Sequence, residues 1–160
     1  MKTIAIALIA VLTTLFAAPS MGENANAPWG SAPEVERAYS KQKVLYDLTS
    51  SSIEEIESVL DRASYLSTLN GADPFDSSIV IVIHGNAIPF FAIKNYPKYK
   101  DLMHRAQSLS VGGVIEFRMC KIAAKRFGFS PKDIHGFVTM VPMADAEIVY
   151  LQQQGYAYMQ

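Results

Sequence analysis

Along this chain the spacing of apolar residues switches repeatedly between a period of two and a period near 3.6. In "KVLYDLT" (residues 43–49) Val44, Tyr46 and Leu48 alternate with Leu45 and Asp47, which predicts a strand. A helix follows: Ile53, Ile56, Val59, Leu60, Ala63 and Leu66 recur at helical spacing. Ser52 stands three residues before Glu55 as a capping box, and Asn70-Gly71 supplies a left-handed stop. "SIVIVIHG" (residues 78–85) is an unbroken β-branched run, as expected of a strand covered on both faces of a parallel sheet.

The segment "NAIPFFAIKNYP" (residues 86–97) reads as a loop whose bulky side chains need cover. Its core, "AIPFFAI" (residues 87–93), is therefore expected to line a pocket or an interface. Pro97 is expected to open the next helix, with Tyr99, Leu102, Ala106 and Leu109 on one face. "GGVIEFRMC" predicts a third strand ending at Cys120, and "KIAAKRFG" a short helix stopping at Gly128. "SPKD" (residues 130–133) signals a helical turn, and "GFVTMVP" (residues 136–142) a fourth strand. "ADAEIVYLQQQG" predicts a last helix, its first turn favoured by Asp145 and Glu147, and "YAYM" (residues 156–159) a short fifth strand. Strands alternating with helices give an α/β domain with a mostly parallel five-stranded sheet and helices on both faces. Ligands of such sheets gather outside the carboxyl ends of the strands. Here those ends fall at His84-Gly85-Asn86, at Cys120 and near Pro142.

The N-terminus departs from this pattern. Met1 and Lys2 precede an apolar run to about Ala18, too short for a stable membrane span, which needs roughly 20 apolar residues. Small residues at Ala18, Ser20 and Gly22 complete a secretory signal peptide over residues 1–22, with two candidate cleavage points. Residues 23–41, rich in Pro, Ala, Asn, Ser and Gly, read as a flexible tether. Residues 42–160 form the folded domain. The chain is expected to be exported, to the periplasm of a Gram-negative source, with no stable membrane span after cleavage.

Half of the 160 residues are hydrophobic, enough for one domain with a core, and the formal net charge is −1. No basic stripe with interleaved aromatics is present, so a nucleic-acid partner is not expected. No G-x-G-x-x-G or G-x-x-x-x-G-K-[ST] follows a strand, which disfavours a nucleotide cofactor, and no cofactor is expected. No His or carboxylate pair has ligand spacing, so no metal site is expected either.

One cysteine in an exported chain cannot form an internal disulfide. Two readings of Cys120 stand. As a tool, it precedes a helix and lies near Arg118, Lys121, Lys125 and Arg126, a setting that favours the reactive thiolate. As a filler, it is a small hydrophobe at the end of a strand. His84 is open in the same way, either activating the thiol or serving as a hydrogen-bonded structural histidine.

With these segments in place, the chain resembles the DsrE/DsrF-like family of sulfur-relay proteins over about residues 43–159. The resemblance rests on "KVLYDLT", "IVIVIHG", "GGVIEFRMCKIAAKRFG" and "VPMADAEIVYLQQQGYAYM", in that order. It implies a three-layer α/β/α sandwich with a five-stranded parallel sheet, and homo-oligomers, commonly trimers or hexamers. It also implies a persulfide-carrying cysteine, matching Cys120, with His84 and Gly85 close to it. The expected function is periplasmic sulfur handling. Cys120 is expected to accept and pass sulfane sulfur, with His84 as acid–base partner or hydrogen-bond donor, Arg118 and Lys121 stabilising the thiolate and attracting anionic donors, and Gly85 and Asn86 at the binding turn. The expected partners are a donor or acceptor protein or a small sulfur anion. The competing expectations are a non-catalytic oligomeric binding or assembly protein with an inert, buried Cys120, and a redox sensor.

Overall fold

The computed structural model describes residues 28–73 and 78–160. The proposed signal peptide lies outside the described residues. The chain divides into two compact units, residues 1–37 and 38–160. In the first, residues 28–37 are exposed and form no helix or strand. The second carries the fold.

Five parallel strands form its sheet: β1 (Val44–Leu48), β2 (Ile79–Ile83), β3 (Ile115–Cys120), β4 (Val138–Val141) and β5 (Ala157–Met159), in the spatial order β4-β3-β2-β1-β5. Four α-helices connect them: α1 (Ile53–Leu69), α2 (Lys100–Ser110), α3 (Lys121–Arg126) and α4 (Ala144–Gln153). The architecture is thus a five-stranded, all-parallel sheet flanked by helices, as the alternation of periods predicts.

The helices are not shared evenly between the two faces. From β1 to β4 each connection steps one strand in the same direction. The right-handed crossover rule then puts α1, α2 and α3 on one face. The connection from β4 to β5 returns over three strands, so α4 lies on the other face. The residue pattern agrees. Val44, Tyr46, Leu48, Ile79, Ile81, Ile83, Ile115, Phe117 and Met119 belong to one large core with Ile56, Leu60, Leu102, Met103 and Ala106. The alternate positions Leu45, Val80, Val82 and Cys120 pack in a smaller core with Ala144 and Leu151 of α4.

Local chemistry sets the element ends. The Ser52 hydroxyl accepts the Glu55 amide N–H at 3.2 Å and caps α1. Gly71, at φ 86°, provides the left-handed stop. Pro97 lies in the turn before α2, which begins at Lys100 rather than at the proline. The expectation for "AIPFFAI" needs correction. Residues Gly85–Phe91 wind into a 3₁₀ helix, and Ala87, Ile88, Phe90, Phe91 and Ala92 are buried in the large core. Phe91 packs against Phe117 at a tilt and against Phe137 edge-on, with centroids 6.1 and 6.4 Å away. The buried side chains of this stretch are covered by the sheet itself, while Ile93 at its end is exposed and lines a surface pocket. Among the described residues no helix is long and apolar enough to cross a membrane.

Candidate functional site

The loops after β3 and β4 leave the sheet toward opposite faces, one into α3 and the other into α4. Open α/β sheets form their ligand crevice where neighbouring loops diverge in this way. A pocket of about 270 Å³ lies there, lined by Cys120, Ile122, Ala123, Arg126 and Phe127 on one side and Met143, Ala144 and Asp145 on the other. His84 and Gly85, from the end of β2, also line it.

Cys120 is the last residue of β3 and the cap of α3, with an extended backbone. Its Sγ accepts the Ala123 amide N–H at 3.4 Å. Only 5% of the residue is exposed, and it lines the pocket. Its lining includes exposed apolar residues, Ile122, Phe127 and Met143, beside the exposed charges of Arg126 and Asp145.

His84 follows β2, its amide N–H donating to the Leu48 carbonyl. Its Nε2 lies 2.6 Å from Asp47 Oδ1, and both side chains are largely buried. The other carboxylate oxygen of Asp47 accepts the Tyr158 hydroxyl at 2.6 Å. That bond to the carboxylate is the chief reason the Tyr158 pKa is raised, with desolvation adding to it, so the phenol keeps its proton. A chain of three side chains thus runs from β5 through β1 to the pocket wall. The alternation in "KVLYDLT" carried a signal for Asp47, because an acid in an apolar strand needs a partner. Nothing in the sequence identified that partner.

Gly85 has φ 56°, a left-handed conformation that turns the chain from β2 into the 3₁₀ helix. An added Cβ would meet Thr49 at 3.6 Å, an ordinary contact, so the backbone conformation is what favours glycine.

The remaining candidates lie elsewhere. Asn86 is exposed, and its amide N–H donates to the Thr49 carbonyl at 3.1 Å. Arg118 points to the face under α4. Its Nη2 donates to Glu116 at 2.6 Å and its Nη1 to Glu147 at 2.5 Å. Burial opposes the Arg118 charge, but the bonds and charges of Glu116 and Glu147 outweigh it and the pKa is raised. Neither Arg118, Lys121 nor Asn86 lines the pocket; the cation that does is Arg126. Among the described residues no three His, Cys, Asp or Glu side chains gather closely enough to hold a metal ion.

A parallel sheet in this order, with a cysteine and a histidine lining the pocket at its divergent loops, defines an α/β protein with helices on both faces of its sheet. The sequence profile of the DsrE/DsrF-like family matches residues 36–160, and the chain belongs to that family. Its fold is similar to the solved structure of MTH1491, a protein of unknown function from Methanobacterium thermoautotrophicum. The match has a TM-score of 0.54 and 15% identity, covering 74% of this chain and 97% of that one. No curated protein matches the chain.

Proposed function

We propose that this protein carries sulfane sulfur as a persulfide on Cys120. The observation behind this reading is that the only thiol of the sequence lines the crevice pocket that His84 also lines, in a chain of the DsrE/DsrF-like family. With thiosulfate as donor, the Cys120 thiolate attacks the outer sulfur. A Cys120 Sγ–S bond forms, the S–S bond of thiosulfate breaks, and its electron pair leaves on sulfite. The exchange needs no external oxidant. An acceptor thiolate then takes the outer sulfur by the same displacement and returns Cys120 as a thiolate. His84 serves as acid–base partner, and Arg126 supplies positive charge for an anionic donor. On this reading the chain works after export to the periplasm, as a homo-oligomer, passing sulfur to a partner protein.

Incubation with thiosulfate or polysulfide, followed by intact mass spectrometry, tests the proposal. Wild type should gain the mass of one or more sulfur atoms, and Cys120→Ala should gain none. Identical spectra for the two would remove it.

The low exposure of Cys120 favours a second reading, a binding or assembly protein with an inert thiol. A thiol-labelling rate limited by unfolding would support that reading, and rapid labelling of the native protein would exclude it.

A further inference from the structure

We propose that Asp47 and Tyr158 are positioning residues that hold His84 in one tautomer, with Nε2–H bound to Asp47 and Nδ1 left to exchange a proton with Cys120. The proposal rests on the reading of Cys120 as the reacting thiol.

The geometry is that of a carboxylate behind an imidazole. Asp47 Oδ1 is 2.6 Å from His84 Nε2, and an ionised carboxylate only accepts, so the proton of this bond sits on Nε2. The Tyr158 hydroxyl donates to Oδ2 at 2.6 Å, so each carboxylate oxygen of Asp47 has its own partner. With Nε2–H committed, Nδ1 is the ring nitrogen that carries a lone pair. When Nδ1 takes the Cys120 proton, the products are a thiolate and an imidazolium, and Asp47 balances the new charge. The ionisable groups around the pocket are Cys120, Arg126 of α3 and Asp145 of α4, with Asp47 of β1 and Tyr158 of β5 behind His84.

Three elements supply the chain. Asp47 projects from β1 beside Val82 of β2, and Tyr158 from β5 beside Leu45 of β1. The parallel register thus delivers both partners to the side of the sheet where Cys120 packs.

The test uses iodoacetamide as a probe of Cys120 and long-range ¹⁵N NMR of the His84 ring. Neither needs a sulfur donor. If thiosulfate adds no sulfur to wild type, the relay reading falls while this proposal is still decided. Expected for wild type is a neutral ring protonated on Nε2. In Asp47→Asn the amide can donate to Nε2, and the ring proton moves to Nδ1. Alkylation at neutral pH should then slow by about 100-fold, the lower end of what a positioned general base contributes. The pH–rate profile should lose the same inflection that His84→Gln removes, and the double variant should be no slower than His84→Gln alone. Tyr158→Phe should keep the tautomer and slow alkylation by a smaller factor. A wild-type proton on Nδ1, or an Asp47→Asn profile that superimposes on wild type, overturns the proposal. If Asp47→Asn does not fold, the wild-type tautomer and Tyr158→Phe decide it. A Tyr158→Phe profile that keeps the wild-type rate at every pH then counts against it.

Discussion

His135 shows how one side chain makes stability depend on pH. Its ring stacks on Phe137 and meets Tyr96 edge-on, and its Nε2 is buried without a hydrogen-bond partner. Desolvation lowers its pKa below the ordinary 6.5. The unfolded chain therefore binds this proton more readily than the folded one. The stability contributed is complete above about pH 6.5 and is lost as pH falls through the folded pKa. Urea unfolding at pH 5 and pH 7 should show a smaller difference for His135→Phe than for wild type. At Gly85 the sign is fixed by the backbone instead. Gly85→Ala should lower stability by about 1–2 kcal/mol through left-handed strain, read as a shifted denaturation midpoint. Residue roles were only partly legible in the sequence. Cys120, His84 and Gly85 sit at strand ends, which chain order reveals, and they do meet in one pocket. Arg118 did not follow that logic. Strand alternation turns it under α4, where Glu147, 29 positions on, neutralises it. No local pattern could show that pairing.

At the scale of elements, the ion-paired cluster of Arg118, Glu116 and Glu147 ties α4 to β3. Glu147 was read as a favourable charge in the first turn of α4, and the structure gives it a partner across the layer as well. Glu147→Gln removes one charge-assisted bond from a largely buried guanidinium and should destabilise by about 1–2 kcal/mol, with little rescue by low salt. Chemical denaturation at two ionic strengths checks both statements. The strands were the most legible elements, because an unbroken β-branched run such as "IVIVI" fits a strand buried on both faces. The start of α2 was not. Pro97 satisfies the rule for a first helical turn, yet a separate turn intervenes before Lys100. "AIPFFAI" misled for a related reason. Apolar residues outside a regular period can still be core when a 3₁₀ helix folds them onto a sheet.

Across the whole molecule, order is graded from the centre of the sheet to its edge. All five residues of β2 are fully buried, whereas the three residues of β5 are exposed. Amide hydrogen exchange should therefore find β2 protected up to the global stability and β5 opening first. Comparable protection in the two strands would contradict this. The uneven layering was half legible. Alternation of strands and helices gave the parallel sheet. The return of the fifth strand past β1 has no local signature, and it is this return that sends α4 to the opposite face and opens the crevice. The same return has a kinetic consequence. Asp47 and Tyr158 are 111 positions apart, so β1 waits for nearly the entire chain before its second neighbour arrives. Pairings this distant carry a large loop-closure cost and slow folding. Until the last residues dock, the outer edge of β1 remains a template for stray strands, and the carboxylate behind His84 lacks its second donor. Assembly of the Tyr158–Asp47–His84 chain and completion of the sheet are therefore one event.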